Sequence, residues 1–209
     1  MADALYFAVK RVLTPLADVW FSLRAIGHDA LPPGPFILAG NHSSLLDWVF
    51  VARFVDRPIR FVLTREFYDQ AGVTALYQRL GVIPIRDGAI ELSAVRQLLG
   101  TLARGEIVGV FPEGRITLDG ALLPAQPGMI AIAARARVPI VPVGVHGAFE
   151  AFPRTARVPR RHPVRVAYGA PLEIPPEVAR SHDDQETFAS ELMQRIGALR
   201  DAANGAVGS

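Results

Sequence analysis

Six short apolar runs, separated by stretches with a helical pattern, most constrain what this chain can fold into. The runs are FILA (36–39), IRFVL (59–63), GVIPI (81–85), IVGVF (107–111), VPIVPVGV (138–145) and VRVAYG (164–169). Several are continuously apolar rather than alternating, as expected of strands that are covered on both faces. Helical stretches are predicted at about 44–55, 66–79, 90–104, 127–136 and 184–202. The pattern predicts an α/β fold with a mixed, largely parallel sheet covered by helices.

The chain has the length of one well-buried domain. Half of its 209 residues are hydrophobic and a fifth are charged, a composition typical of a compact fold rather than of disorder. No repeat or linker divides it, so residues 1–203 are predicted to form a single domain and residues 204–209 a flexible tail. The last helix is expected to begin at Ser181 and to place Asp183 and Asp184 in its first turn. Its apolar stripe would consist of Phe188, Leu192, Ile196 and Leu199.

The chain contains no cysteine. A disulfide framework, a thiolate nucleophile and a thiolate metal site are therefore excluded. Apart from His42, the histidines show no ligand spacing with one another or with carboxylates. These other histidines are His28, His146, His162 and His182. No metal and no cofactor is expected.

The positive charge of the chain is almost entirely arginine, because Lys10 is the only lysine. The net charge is only +2, but five arginines crowd into RTARVPRRHPVR, residues 154–165. Two interpretations are open: a solvated loop, or a docking surface for anionic lipid or an acidic carrier protein. Nucleic acid is not expected as a partner, since no aromatic residues are interleaved with the arginines and no nucleic-acid-binding motif accompanies them.

The N-terminal segment, residues 1–27, carries an amphipathic helical repeat in which Pro15 is expected to kink or split the helix. Its uncharged stretches are far shorter than the roughly 20 residues of a spanning helix, and no signal peptide is expected. Two roles are open: packing on the domain, or an interfacial helix with Phe7, Trp20 and Phe21 near lipid headgroups. The repeat consists of Leu5, Val9, Val12, Leu13, Leu16, Val19, Trp20 and Leu23.

Polar motifs follow several of the predicted strands at the point where each strand ends. GNHSSLLD (40–47) follows the first run, IRDG (85–88) closes GVIPI, and FPEGRIT (111–117) closes EIVGV. A further candidate is the His-Gly pair at 146–147. Ligands in α/β folds collect at the carboxyl ends of strands. We therefore expect these motifs to lie near one site.

His42 and Asp47 are the first candidates for chemistry. Residues five apart on an ideal helix are turned about 140° from each other. The pair can meet only if His42 lies in the turn before the helix, with its ring folded back over the first turn. An aspartate on one imidazole nitrogen leaves the other nitrogen as a proton acceptor. The alternative is a capping box, because Ser44 and Asp47 have the S-x-x-[DE] spacing of a helix start.

Four blocks together resemble the PlsC-like glycerophospholipid (lysophospholipid) acyltransferases. NHSSLLD resembles the N-H-x4-D catalytic block of that family, GVIPIRDG its second block, FPEGRIT its F-P-E-G third block and VPIVPVGVHG its fourth block. They occur in the family's order over about residues 30–147. The resemblance implies an enzyme that moves a fatty acyl group from acyl-CoA or acyl carrier protein to a lysophospholipid hydroxyl. It also implies a location at the cytoplasmic face of a membrane.

The resemblance further implies roles for individual residues. His42 and Asp47 would form the catalytic pair, with His42 as the general base for direct attack by the acceptor hydroxyl and no acyl-enzyme. The substrate-binding set would be Arg86, Glu113, Gly114 and Arg115.

The third block departs from the E-G-T-R pattern of many lysophosphatidic acid acyltransferases. Here Arg115 directly follows Gly114, one residue early, as in bacterial enzymes that reacylate lysophosphatidylethanolamine. Arg86 and Arg115 are both expected to hold the acceptor phosphate, and the shifted position makes the contact by Arg115 the less secure of the two. The acceptor is expected to be lysophosphatidic acid or another lysolipid such as lysophosphatidylethanolamine. Two alternatives lie outside acyl transfer: a thioesterase or lipid hydrolase in which His42 activates water, and a non-catalytic lipid-binding module.

Overall fold

A seven-stranded sheet forms the centre of the protein in the computed structural model, which describes residues 2–86 and 91–205. The strands are β1 (Arg24–Ile26), β2 (Ile37–Gly40), β3 (Ile59–Thr64), β4 (Ile83–Ile85), β5 (Ile107–Val110), β6 (Ile140–His146) and β7 (Arg165–Tyr168). The helices are α1 (Ala2–Phe21), α2 (Asp47–Ala52), α3 (Arg65–Tyr68), α4 (Thr74–Leu80), α5 (Leu92–Ala103), α6 (Gly128–Ala136), α7 (Ala148–Ala151) and α8 (His182–Gly205), with short 3₁₀ turns at His28–Ala30 and Pro176–Arg180.

The strand order is β1-β7-β6-β2-β5-β3-β4. Every neighbouring pair is parallel except β6 and β7. Helices cover both faces of the sheet. The predicted α/β class, with a mixed and largely parallel sheet, is confirmed.

The central strands are apolar on both faces because each face has its own layer of helices. Leu38 of β2 packs in the cluster that contains residues of α1 and α2. Its neighbours Ile37 and Ala39 pack in the opposite cluster, with residues of α5, α6 and α8. This alternation explains why the runs read as continuously apolar in the sequence.

The C-terminal helix α8 covers the sheet as predicted, and most of its apolar stripe packs in the core of that face. The Ser181 hydroxyl accepts the Asp184 amide at 3.2 Å, which confirms the predicted cap. The helix continues to Gly205, so the first two residues of the predicted tail, 204–209, belong to the helix. Residues 206–209 lie outside the described residues.

The N-terminal segment forms a helix, α1, that runs through Pro15 to Phe21 without a break. Of the two predicted effects of Pro15, a kink or a split, the split does not occur. The proline removes one main-chain hydrogen bond, while Ala17 and Phe21 hold the second half of the helix in the core beside α2. The predicted amphipathic segment, residues 1–27, is also too long, since residues 24–26 form β1 and pair with β7. A three-residue strand is too short for its periodicity to show in the sequence.

Three helix boundaries also differ. The predicted helix 44–55 is only α2, because the amides of the preceding turn bond to the Asp47 side chain instead of entering the helix. The predicted helix 66–79 is divided into α3 and α4, with Gly72 at φ +89° in the turn between them. The single turn α7 was not predicted, since four residues carry no helical period.

The main chains of α8 and β6 approach each other closely at Gly144. A Cβ atom built there would lie 2.1 Å from the Arg200 amide nitrogen and 2.5 Å from the Leu199 carbonyl carbon. Only a residue without a side chain allows the helix to lie this close to the strand. Since β6 pairs with β2, this contact helps to fix the edge of the sheet where the polar motifs lie.

We expect Gly144→Ala to lower the free energy of unfolding by at least about 1–3 kcal/mol, because the added methyl group meets main-chain atoms that cannot rotate away. Urea unfolding followed by circular dichroism would measure this loss. Gly100→Ala in α5 is the matched control, because its nearest non-local atom lies at an ordinary 3.6 Å. Helix propensity predicts that this control keeps or gains up to about 1 kcal/mol. Equal stability of the two variants would contradict the close approach of α8 and β6.

Candidate active site

Three of the four sequence blocks meet at one edge of the sheet. NHSSLLD (41–47) follows β2, FPEGRIT (111–117) follows β5, and the fourth block ends with β6. These three strands are adjacent and parallel. Their carboxyl ends therefore bring the motifs together.

His42 lies in the turn between β2 and α2, where the sequence placed it. Its Nδ1 is 2.8 Å from Oδ2 of Asp47, the first residue of α2. The Asp47 side chain is completely buried, and the His42 side chain is one-fifth exposed. Because an ionised carboxylate only accepts hydrogen bonds, Nδ1 carries the proton and Nε2 is left as an acceptor.

The same oxygen of Asp47 also organises the main chain of the turn. Oδ2 accepts the Ser43 amide at 2.7 Å and the Ser44 amide at 2.8 Å. The Ser44 hydroxyl accepts the Leu46 amide at 3.1 Å and donates to the Phe152 carbonyl at 2.9 Å. Asp47 thus holds the helix start, as the capping interpretation required, while it also pairs with the histidine. Its other oxygen is buried and has no hydrogen-bond partner among the described residues.

Glu113 of the third block holds the main chain on the other side of His42. One carboxylate oxygen accepts the His42 amide at 2.7 Å, and the other accepts the Leu123 amide at 2.9 Å. Burial raises the pKa of Glu113, although the two amides act in the opposite direction. Thr117 completes the support, because its amide donates to the His42 carbonyl at 2.9 Å. Both Glu113 oxygens thus serve the main chain, and its contact with substrate stays a prediction.

Two side chains that carried no predicted role fix the histidine further. The Phe111 ring stacks on the His42 imidazole, with centroids 4.1 Å apart and planes 12° from parallel. The buried Asn41 side chain donates to the Val145 carbonyl at 3.0 Å and accepts the Val145 amide at 2.7 Å. It thereby joins the end of β2 to β6. The available signal for both residues was their position as the first residue of a sequence block, directly after a strand.

A cavity of about 290 Å³ lies beside His42 and reaches α1. Its walls are mostly apolar and include Leu13, Trp48, Phe61, Tyr77, Phe111 and Ile116. Both ends of β3, Ile59 and Thr64, line it. At about 3.3 Å per residue, the cavity follows that strand over roughly 16 Å.

Of the predicted substrate-binding residues, Gly114 and Arg115 line the cavity. Gly114 has φ +72°, and a Cβ atom there would lie 2.5 Å from the side-chain nitrogen of Gln126. The left-handed conformation favours glycine here, whereas the flexible Gln126 side chain could move aside. Arg115 is exposed at the cavity and forms no salt bridge with the described residues.

Arg86 is not among the described residues that line the cavity, although its neighbour Ile85 is. Its side chain is 71% exposed, and its Nε is 2.6 Å from a carboxylate oxygen of Glu91. Residues 87–88 of the same block lie outside the described residues. The structure therefore brings Arg115 rather than Arg86 to the cavity beside His42.

The other histidines take no part in this cavity as far as the structure describes it. His146 ends β6 and is half-buried, and His182 pairs with Glu186 at 3.3 Å in the first turn of α8. Within residues 2–86 and 91–205, no three His, Asp or Glu side chains converge in a way that could hold a metal ion.

Comparison with known proteins shows the family of this chain. The family model described as Acyltransferase matches residues 22–146, which include the first three sequence blocks and all but the last residue of the fourth. The chain belongs to the acyltransferase family. The matched part of this acyltransferase chain runs from the turn after α1 to the end of β6.

The acyltransferase chain is similar to several proteins named 1-acyl-sn-glycerol-3-phosphate acyltransferase. It is 27% identical to one from Cocos nucifera over 165 residues, which are 76% of this chain and 50% of that protein. It is 24% identical to one from Bacillus subtilis over 113 residues, which are 54% of this chain and 56% of that protein. The chain therefore spans about half the length of these curated relatives.

A solved structure shares the fold. The crystal structure of the 1-acyl-sn-glycerophosphate acyltransferase PlsC from Thermotoga maritima matches with a TM-score of 0.74 and 23% sequence identity. The match covers 92% of this chain and 79% of that one.

We expect Glu113→Gln to lower the free energy of unfolding by about 1–3 kcal/mol, because a carboxamide leaves one of the two part-buried amides facing an N–H group. Differential scanning calorimetry would measure the change. The exposed Glu173→Gln is the matched control and should melt like the wild type. A wild-type melting temperature for Glu113→Gln, together with weaker acceptor binding, would favour the substrate-binding role instead.

Proposed function

We propose that this chain transfers a fatty acyl group from an acyl thioester to the free hydroxyl of a lysophospholipid, with His42 as the general base. The observation that carries the proposal is an imidazole, fixed on one side by Asp47, beside a long apolar cavity lined by Arg115. Nε2 takes the proton of the hydroxyl as its oxygen attacks the thioester carbonyl. The thiolate leaves and takes up a proton. General-base catalysis of this kind contributes roughly 10²–10⁴ in rate.

The transfer is direct in this proposal. His42 forms its side-chain hydrogen bond with Asp47, and no serine or threonine hydroxyl of the described part of the chain is bonded to its ring. The nearby Ser44 hydroxyl is committed to the Phe152 carbonyl. None of residues 2–86 and 91–205 is thus prepared to form an acyl-enzyme, and the lysophospholipid hydroxyl is the nucleophile that His42 activates.

The cavity suits the acyl chain. Its wall is mostly apolar, and each methylene group that leaves water contributes about 0.8 kcal/mol. With the chain in the cavity, the thioester lies at the His42 end, and the carrier of the thiol stays outside. Acyl-CoA and acyl carrier protein both meet this requirement as donors.

The acceptor proposed first is lysophosphatidic acid. The names of the relatives from Cocos nucifera and Bacillus subtilis support it. Reacylation of lysophosphatidylethanolamine is the alternative, because Arg115 directly follows Gly114. Both acceptors carry a phosphate, and the Arg115 guanidinium is suited to bind it.

We expect His42→Ala to lose at least about 10²-fold in turnover while remaining folded, because the proton acceptor is removed. The assay measures thiol release from acyl-CoA and from acylated carrier protein, each with and without lysophosphatidic acid. The exposed His182→Ala is the matched control. Release that depends on the acceptor supports transfer. Release without acceptor would indicate a hydrolase, and near-normal turnover of His42→Ala would remove the general base from the mechanism.

We further propose that α1 lies in the surface of a membrane, at its cytoplasmic face. Four large apolar side chains recur on one exposed side of this helix: Val12, Leu16, Val19 and Trp20. Their spacing of four, three and one places them on a single face. No helix in the described part of the chain is long and apolar enough to cross a bilayer. An amphipathic helix of this kind binds in the plane of the interface.

The arginine-rich segment, residues 154–165, lies beside the end of α1. The Val164 amide donates to the Phe21 carbonyl at 2.9 Å, and the guanidinium of Arg161 is 5.4 Å from the centre of a Trp20 ring. Basic side chains next to an inserted apolar face attract anionic lipid headgroups. The segment therefore supports the membrane proposal rather than that of a merely solvated loop.

We expect Leu16→Ser combined with Val19→Ser to reduce sedimentation with anionic liposomes and to leave the melting temperature within a few degrees, since both side chains are exposed. Leu13→Ser is the matched control on the inner side of α1, where Leu13 packs against the core. It should lower the melting temperature. Binding of the wild type should also weaken with salt, because charges are screened over about 10 Å at 0.1 M. Unfolding of the double variant would show that its outer face packs on protein.

A further inference from the structure

Arg154 reaches the cavity from outside all four sequence blocks. It lines the cavity together with His42 and Arg115. Its guanidinium carbon is 5.4 Å from the centre of the Phe67 ring, which also lines the cavity. A guanidinium at this distance from an aromatic ring makes a cation–π contact, which limits the positions that the side chain adopts.

The segment that carries Arg154 is tied to the turn that carries His42. The Phe152 carbonyl accepts the hydroxyl of Ser44, which is completely buried. The same segment is held on its other side, because the Arg160 amide donates to the Ala151 carbonyl at 2.7 Å. Arg154 therefore lies only two residues after Phe152, which is hydrogen-bonded to the turn that carries His42.

The contact between Arg154 and Phe67 joins two sides of the site. Arg154 follows β6, and Phe67 lies on α3 directly after β3. In the sheet, β2 and β5 lie between β6 and β3, and their carboxyl ends carry His42 and Phe111. The guanidinium therefore connects the segments that flank the His42 end of the cavity.

Neither guanidinium at the cavity has an acidic partner in the structure as described. Arg86 pairs with Glu91, but no carboxylate of the described residues forms a salt bridge with Arg154 or Arg115. Glu66 also lines the cavity without pairing with either of them. Two guanidiniums that line the same cavity as His42 favour an anion, and phosphate matches the planar fork of arginine best.

We propose that Arg154 is a substrate-binding residue, which binds the phosphate of the acceptor together with Arg115. One face of the guanidinium stays on Phe67 while its N–H groups donate to phosphate oxygens. The phosphate is thereby held at the mouth of the cavity, and the acceptor hydroxyl is presented to Nε2 of His42. This inference rests on the proposed function and names a second phosphate ligand for the same site.

The test compares Arg154→Ala and Arg154→Lys with Arg157→Ala, all in the full chain. Arg157 belongs to the same arginine-rich segment, is exposed and is not among the described residues that line the cavity. Rates are measured with acyl-CoA against a concentration series of lysophosphatidic acid and, separately, of monoacylglycerol, which has no phosphate. Circular dichroism confirms that each variant is folded.

We expect Arg154→Ala to raise the apparent KM for lysophosphatidic acid about 10- to 100-fold, which is the typical cost of a lost hydrogen bond to a charged group. The KM for acyl-CoA and the rate with monoacylglycerol should stay at the wild-type level. Arg154→Lys should recover part of the loss, because the positive charge remains but the planar fork is gone. Arg157→Ala removes the same charge from the proposed membrane-binding segment, and it should change the KM for lysophosphatidic acid much less than Arg154→Ala does.

An unchanged KM for lysophosphatidic acid in Arg154→Ala would overturn this inference, and so would an equal loss with both acceptors or a raised KM for acyl-CoA. An equal effect of Arg157→Ala would also overturn it, since general surface charge would then account for the result. The proposed function fails in a different way: the wild type itself would release no thiol in response to any lysophospholipid.

Discussion

The site depends on the hydrogen bonds that the buried carboxylate of Asp47 accepts. One of its oxygens receives three donors: Nδ1 of His42 and the amides of Ser43 and Ser44. A carboxylate without exposure to water is stable only when such donors replace its hydration. The start of α2, the shape of the turn after β2 and the tautomer of His42 are therefore set together. Chemistry and helix capping are two consequences of one charge.

The acids and the arginines of the site have separate tasks. Asp47 and Glu113 are buried, and their oxygens bind the histidine and the main chain around it. Arg115 and Arg154 remain at the cavity without an acidic partner in the structure as described. The buried carboxylates thus hold the turn that carries His42 in place. The two guanidiniums face the space that the substrate is proposed to occupy. An anionic acceptor fits this division.

Helix α1 connects the cavity to the exterior. Leu13 on its inner side lines the cavity, while Leu16 and Val19 on its outer side are exposed. Polar contacts hold the helix in place: the Lys10 ammonium donates to the Val55 carbonyl at 2.5 Å, Asp18 binds Arg53 at 2.9 Å, and Asp3 binds Arg60. The half-burial of this ammonium lowers the pKa of Lys10. The same helix therefore closes the proposed acyl-chain site and carries the proposed membrane surface.

The sequence by itself determined the α/β class, because continuously apolar runs must be covered on both faces. It also determined that the first and third blocks lie at strand ends beside each other, and that His42 can meet Asp47 only from the turn before the helix. It did not determine that Arg115 and Arg154 reach the cavity while Arg86 pairs with Glu91, or that Glu113 serves the main chain. Nor did it reveal the bond from Ser44 to Phe152, which joins residues 108 positions apart. The physical reason is the distance along the sequence over which each signal acts. Periodicity and spacing report the local conformation of the chain. The contacts of a side chain extend over only a few ångströms, and they form after the sheet has brought distant segments together.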